Sequence, residues 1–60
     1  MKIFKYDGYI INLEEVREIC ANVDTLFFCY RDGGRTHIVC NEDEIADLLD
    51  LCYEIMTRKD

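Results

Sequence analysis

The period of apolar and polar positions changes along this chain. Thr25 to Cys40 (TLFFCYRDGGRTHIVC) holds the densest run of aromatic and β-branched residues, divided by Asp32-Gly33-Gly34. Such side chains favour the pleated surface of a strand. Asp-Gly and Gly-Gly supply the positive φ that tight hairpins need. Leu26 to Tyr30 and Thr36 to Cys40 therefore form a hairpin, with two candidate registers. A two-residue loop at Asp32-Gly33 sets Phe28 opposite His37. A three-residue loop at Asp32 to Gly34 sets Phe28 opposite Ile38 and Cys29 opposite His37. The second is preferred, because it collects Leu26, Phe28, Tyr30, Thr36, Ile38 and Cys40 on one coherent core face. Phe27, Cys29, His37 and Val39 then share the other face. A slip of one residue would exchange the two faces.

Lys2 to Asn12 reads as an earlier hairpin. A type I′ loop at Asp7-Gly8 pairs Tyr6 with Tyr9 and Phe4 with Ile11. Asn12 to Val23 (NLEEVREICANV) fits two patterns. As a helix, Asn12 is the N-cap, Glu15 completes a capping box, and Leu13, Val16 and Cys20 share a face. The chain is then two hairpin-plus-helix units, each helix opening Asn-x-x-Glu. As a strand, Leu13 to Glu15 is a tight turn, and Arg17, Ile19, Ala21 and Val23 alternate with Glu18, Cys20 and Asn22. Period alone does not separate the two. The strand gives a meander with short links.

Asn41 to Arg58 is the clearest helix. Asn41 caps it, and Glu42, Asp43 and Glu44 load its first turn with charge that suits the helix dipole. Arg58 and Lys59 suit the far end for the same reason. Ile45, Leu48, Leu49, Cys52, Ile55 and Met56 recur at helical spacing, and Leu51 and Tyr53 widen that apolar arc. Asp43, Asp47, Asp50 and Glu54 form an acidic stripe opposite.

The layout Ile11-Asn12-Leu13 with Val16, Phe27 with Tyr30 and Asp32-Gly33-Gly34, then Asn41 onward, resembles small bacterial domains built as a β-meander closed by one C-terminal helix. The resemblance implies architecture and no activity. It favours the strand for Arg17 to Asn22. The expected fold is α+β: residues 1–60 as one domain, an antiparallel meander of four to five short strands, and one C-terminal helix packed on one face.

Sixty residues bury only roughly 60% of the unfolded surface, so such a chain is marginally stable alone. Half the residues are hydrophobic, which argues against disorder. The net charge of −6 counts against nucleic acid and anionic membranes as partners. Lys2 and Lys5 precede no continuous apolar stretch of signal-peptide type, and no run reaches the ~18 apolar residues of a membrane span. The expected location is the cytoplasm, with Cys20, Cys29, Cys40 and Cys52 reduced.

The candidate chemistry is sparse. The cysteines lack the paired short spacing of zinc sites, and small buried hydrophobes are the simpler reading for all four. Cys29 opposite His37 raises a thiol nucleophile, but both sit mid-strand without an oxyanion loop. Neither an enzyme nor a cofactor is expected. One helix covers one sheet face, so the other leaves Phe27, Cys29 and Val39 exposed, which usually marks an interaction surface. The expectation is a homodimer, packed sheet face to sheet face or joined at a strand edge, or a small subunit of a protein complex. The acidic stripe suggests a second role, as an inhibitor or antidote on a basic surface, against the simpler reading of a solvated helix face.

Overall fold

A computed structural model describes residues 1–58 of the chain. The fold is α+β: β1 (Ile3–Tyr6), β2 (Tyr9–Asn12), a 3₁₀ turn (Leu13–Glu15), β3 (Val16–Ala21), β4 (Thr25–Tyr30), β5 (Arg35–Val39) and α1 (Ile45–Thr57). Every paired strand runs antiparallel to its partner, and the five strands form two sheets. The first hairpin stands alone, and β3-β4-β5 make a three-stranded sheet with β4 in the middle.

The first hairpin follows its turn chemistry. Asp7 and Gly8 both adopt positive φ, 47° and 85°, as a type I′ loop requires. Tyr6 pairs with Tyr9 and Phe4 with Ile11, as expected.

The 3₁₀ turn explains why two sheets form. Asn12 accepts the Glu14 N–H on its side chain at 3.1 Å, capping the turn as a short polar residue can. The Leu13 N–H still reaches back to the Lys2 carbonyl at 2.8 Å, at the end of the first hairpin. Beyond Glu15 the chain is extended, so this segment is a strand and not a helix. β3 carries an irregularity: Val16 pairs with Tyr30 but Glu18 with Cys29, leaving Arg17 as the extra residue of a bulge. That bulge lets Val16 and Ile19, three positions apart, both face the core.

The second hairpin corrects both candidate registers. Its loop is Arg31 to Gly33: the Gly33 N–H donates to the Tyr30 carbonyl at 3.1 Å, and the Tyr30 N–H to the Gly34 carbonyl at 2.8 Å. Gly33 takes the left-handed position with φ 95°. Phe28 is therefore opposite Thr36, not Ile38 or His37, and Cys29 is opposite Arg35, not His37. The physical reason is the left-handed residue that ends a three-residue loop. Gly33 fills it, while Asp32 caps the bend by accepting the Gly34 N–H at 2.8 Å. The preferred register was out by two residues, an even number, so the face assignment is unchanged. Leu26, Phe28, Ile38 and Cys40 are buried.

The helix starts later than its acidic leader suggests. Asn41 caps a turn, its side chain accepting from the Asp43 N–H at 3.0 Å and its carbonyl from the Glu44 N–H at 2.9 Å. Glu44 occupies the helix N-cap without a side-chain bond. Lys59, expected with Arg58 at the far end, lies outside the described residues. The helix packs on β1, the 3₁₀ turn, β3 and β4. Phe4 meets Phe28 at a ring-centroid distance of 5.9 Å. Hairpin and helix together thus cover the inner face of the three-stranded sheet.

Candidate functional site

Nothing covers the opposite face of that sheet among the described residues, so its composition follows from the pleat. Successive side chains alternate, and the buried set Ile19, Leu26, Phe28 and Ile38 fixes the other set as outward. Cross-strand pairing orders the outward residues into rows: Glu18, Cys29 and Arg35; then Cys20, Phe27 and His37; then Thr25 and Val39. Phe27 and His37 are ring neighbours, with centroids 6.2 Å apart and planes tilted by 38°. Cys20, Phe27, Cys29, Arg35 and His37 help line a depression of ≈340 Å³.

The expected interaction residues Phe27, Cys29 and Val39 share this face. Phe27 is 39% exposed and Val39 64%, while Cys29 is half-buried. The face also holds Glu18, Cys20 and Arg35, which were not singled out from sequence. Alternation along β3 placed Glu18 and Cys20 together, but the bulge at Arg17 had to be known before their pairing on β4 could be read. Arg35 joins the row only through the corrected loop.

The direct Cys29–His37 pairing that raised a thiol nucleophile is replaced by a diagonal relationship, with Arg35 opposite the thiol and Phe27 opposite the imidazole. Among the described residues no group of three His, Cys, Asp or Glu side chains is placed to hold a metal ion.

The four cysteines divide by face. Cys20 is exposed, whereas Cys40 and Cys52 are buried in the core. Burial pushes the Cys52 thiol up to about 11, and the nearby Cys40 adds to the shift. Cys40 is also raised, by burial first, with Glu44 and Asp24 adding to it against a lowering backbone hydrogen bond from Leu26. Protonated, buried thiols behave as small hydrophobes and are poor nucleophiles.

The acidic stripe is a second exposed surface. Asp47, Asp50 and Glu54 project from α1, and Asp43 lies in the turn before it; all four are exposed. Leu51 and Tyr53, which widened the apolar arc in the sequence, are exposed beside them. No helix among the described residues is long and apolar enough to cross a membrane.

Comparison of the chain with protein-family models, with curated proteins and with solved structures finds no match.

Proposed function

We propose that this chain is a non-enzymatic, cytoplasmic protein–protein interaction module that acts as a homodimer, with the three-stranded sheet as the associating element. The observation that carries this reading is the one-sided cover of that sheet. Helix and first hairpin lie on its inner face, and Phe27 and Val39 stand in water on the other. A chain of 60 residues gains little margin from its own core, so a second copy joined at the outer face or at a strand edge adds stability that it lacks alone. A bacterial source, as in the small domains it resembles, belongs to the same proposal. Light scattering on a size-exclusion column under reducing conditions tests it. A mass twice the 7.1 kDa of the chain is expected. A folded monomer at every concentration up to millimolar ends the homodimer reading.

The second reading rests on the common exposure of Asp43, Asp47, Asp50 and Glu54. Such a surface suits an inhibitor or antidote that docks on a basic partner, since complementary charge speeds and orients encounter. Replacing the four carboxylates by their amides is expected to abolish any such complex. Complexes that survive the replacement remove this role.

A further inference from the structure

We infer that two copies of this chain join edge to edge through β5, antiparallel about a two-fold axis at His37, so that two three-stranded sheets become one of six strands. The inference rests on the homodimer reading and supplies its geometry.

The hydrogen-bond pattern locates the open groups. The Tyr30 N–H donates to the Gly34 carbonyl at 2.8 Å and the Cys40 N–H to the Asp24 carbonyl at 2.6 Å. Hydrogen-bonded pairs recur every second residue in an antiparallel ladder, so Thr36 and Ile38 use their backbone groups towards β4. Arg35, His37 and Val39 direct theirs away from it, at the end of the sheet. Centring two antiparallel copies on His37 pairs each Arg35 with the other copy's Val39 and the two His37 backbones with each other. This register engages all three open residues on both copies.

Edges of soluble sheets are usually guarded by bulges, charges, proline or a covering element. The β3 edge has such a guard: the bulge at Arg17, followed by Glu18. The β5 edge pairs without a register shift, and α1 packs chiefly over β1, β3, β4 and the 3₁₀ turn. Charge favours the antiparallel sense. β5 opens on exposed Arg35 and runs into Glu42-Asp43-Glu44. Antiparallel copies set Arg35 opposite Val39, three residues short of the other copy's Glu42, whereas parallel copies would set Arg35 beside Arg35 and acidic end beside acidic end.

Stacking the outer faces is the competing geometry. It would bury the row of Glu18, Cys29 and Arg35 beside Phe27, and taking such charges out of water is costly unless they are well paired. Edge pairing leaves them solvated, while the Arg35 stem lies over the exposed Val39 of the other copy. A five-residue edge falls below the ~800 Å² per partner of a standard interface, so the dimer exchanges with monomer.

Amide hydrogen exchange by NMR, read beside native mass from tens of micromolar to millimolar, tests this on the unaltered chain. The Arg35, His37 and Val39 amides are expected to gain at least about tenfold protection as dimer forms. Thr36 and Ile38, bonded to β4 in either state, serve as the reference. A dimer whose three edge amides exchange as in the monomer overturns edge pairing and leaves the homodimer reading standing. A monomer throughout ends both. Val39→Pro removes an outward donor without touching the β4 ladder, and is expected to be monomeric with Ile38 still protected. If it stays dimeric, the inference fails. Should it not fold, Arg35→Glu decides: at least about tenfold weaker association supports the seam, and unchanged association overturns it.

Discussion

The Lys2 ammonium donates to the Met56 carbonyl at 3.0 Å, joining two residues 54 positions apart. The contact places a cation at the C-terminal end of α1, where the helix dipole is negative. The last turn is otherwise closed locally. Thr57 donates its hydroxyl to the Tyr53 carbonyl at 2.9 Å, and the Arg58 N–H reaches Ile55 at 3.3 Å. Met56 thus takes its partner from the other end of the chain, which ties the helix to β1.

Lys2→Met is therefore expected to destabilise the fold by about 1 kcal/mol, the range of a charged hydrogen bond combined with a dipole contact. At this size that lowers the thermal midpoint by roughly 4–8 °C. Lys5→Met, at an exposed position, is the control and is expected to stay within about 0.5 kcal/mol. Thermal unfolding followed by circular dichroism reads both; equal effects would remove the helix-end role.

The Asp7-Gly8 loop gives a second test. Gly8 has φ 85°, and no atom lies within 4 Å of where a Cβ would stand. Gly8→Ala is thus opposed by backbone conformation and not by crowding, and is expected to cost about 1 kcal/mol. Asp7→Asn gives the Asn-Gly pair that type I′ loops prefer and is expected to match or exceed the parent. Urea denaturation compares the three; an alanine variant as stable as the parent would show that the loop tolerates another turn.

Much of this fold was legible because its turns are chemically explicit. Asp7-Gly8 admits a two-residue type I′ loop, and the pairing of Tyr6 with Tyr9 follows from it. At Asp32-Gly33-Gly34 two adjacent glycines could each supply the left-handed residue, and the choice of Gly33 depends on an Asp32 side-chain bond to Gly34. The face survived because the error was even. The helix or strand character of Val16 to Ala21 was hidden for a different reason. Val16 and Ile19 at a spacing of three imitate a helix, and a bulge that breaks the two-residue period leaves no mark in composition. The acidic stripe was readable from spacing alone, whereas Arg35 joined the row of Glu18 and Cys29 only once the loop was known.

Deleting Arg17 tests the bulge directly. Without the extra residue Val16, Glu18 and Ile19 alternate at the two-residue period of a strand, so β3 pairs continuously with Tyr30, Cys29 and Phe28 and both Val16 and Ile19 still face inward. No core side chain is turned to solvent, so the deletion is expected to cost no more than about 1 kcal/mol. Arg17→Ala keeps the bulge and, with an exposed side chain, is expected within about 0.5 kcal/mol. A loss of more than about 2 kcal/mol on deletion, with the substitution tolerated, would show that Arg17 is not the extra residue of β3.

Cys52 ties stability to alkaline pH. The thiol is fully buried, and its pKa rises from 9.0 to about 11 on folding. Between these values the unfolded chain has lost the proton that the native chain keeps. The unfolded state binds fewer protons there, so stability falls as pH rises. The contribution is intact below pH 9 and is lost progressively through pH 11. Cys40, also raised, acts in the same direction. Urea denaturation at pH 8 and pH 10 is expected to show the parent losing roughly 1 kcal/mol more than Cys52→Ala over that interval. The comparison within each pH cancels the tyrosines and lysines, which titrate in both proteins. Native-state alkylation at pH 8 gives the kinetic counterpart: Cys20, which is exposed, reacts first, and Cys40 and Cys52 react only as the chain opens. Equal pH dependence in the two proteins would mean that Cys52 ionises in the folded chain about as it does in the unfolded one.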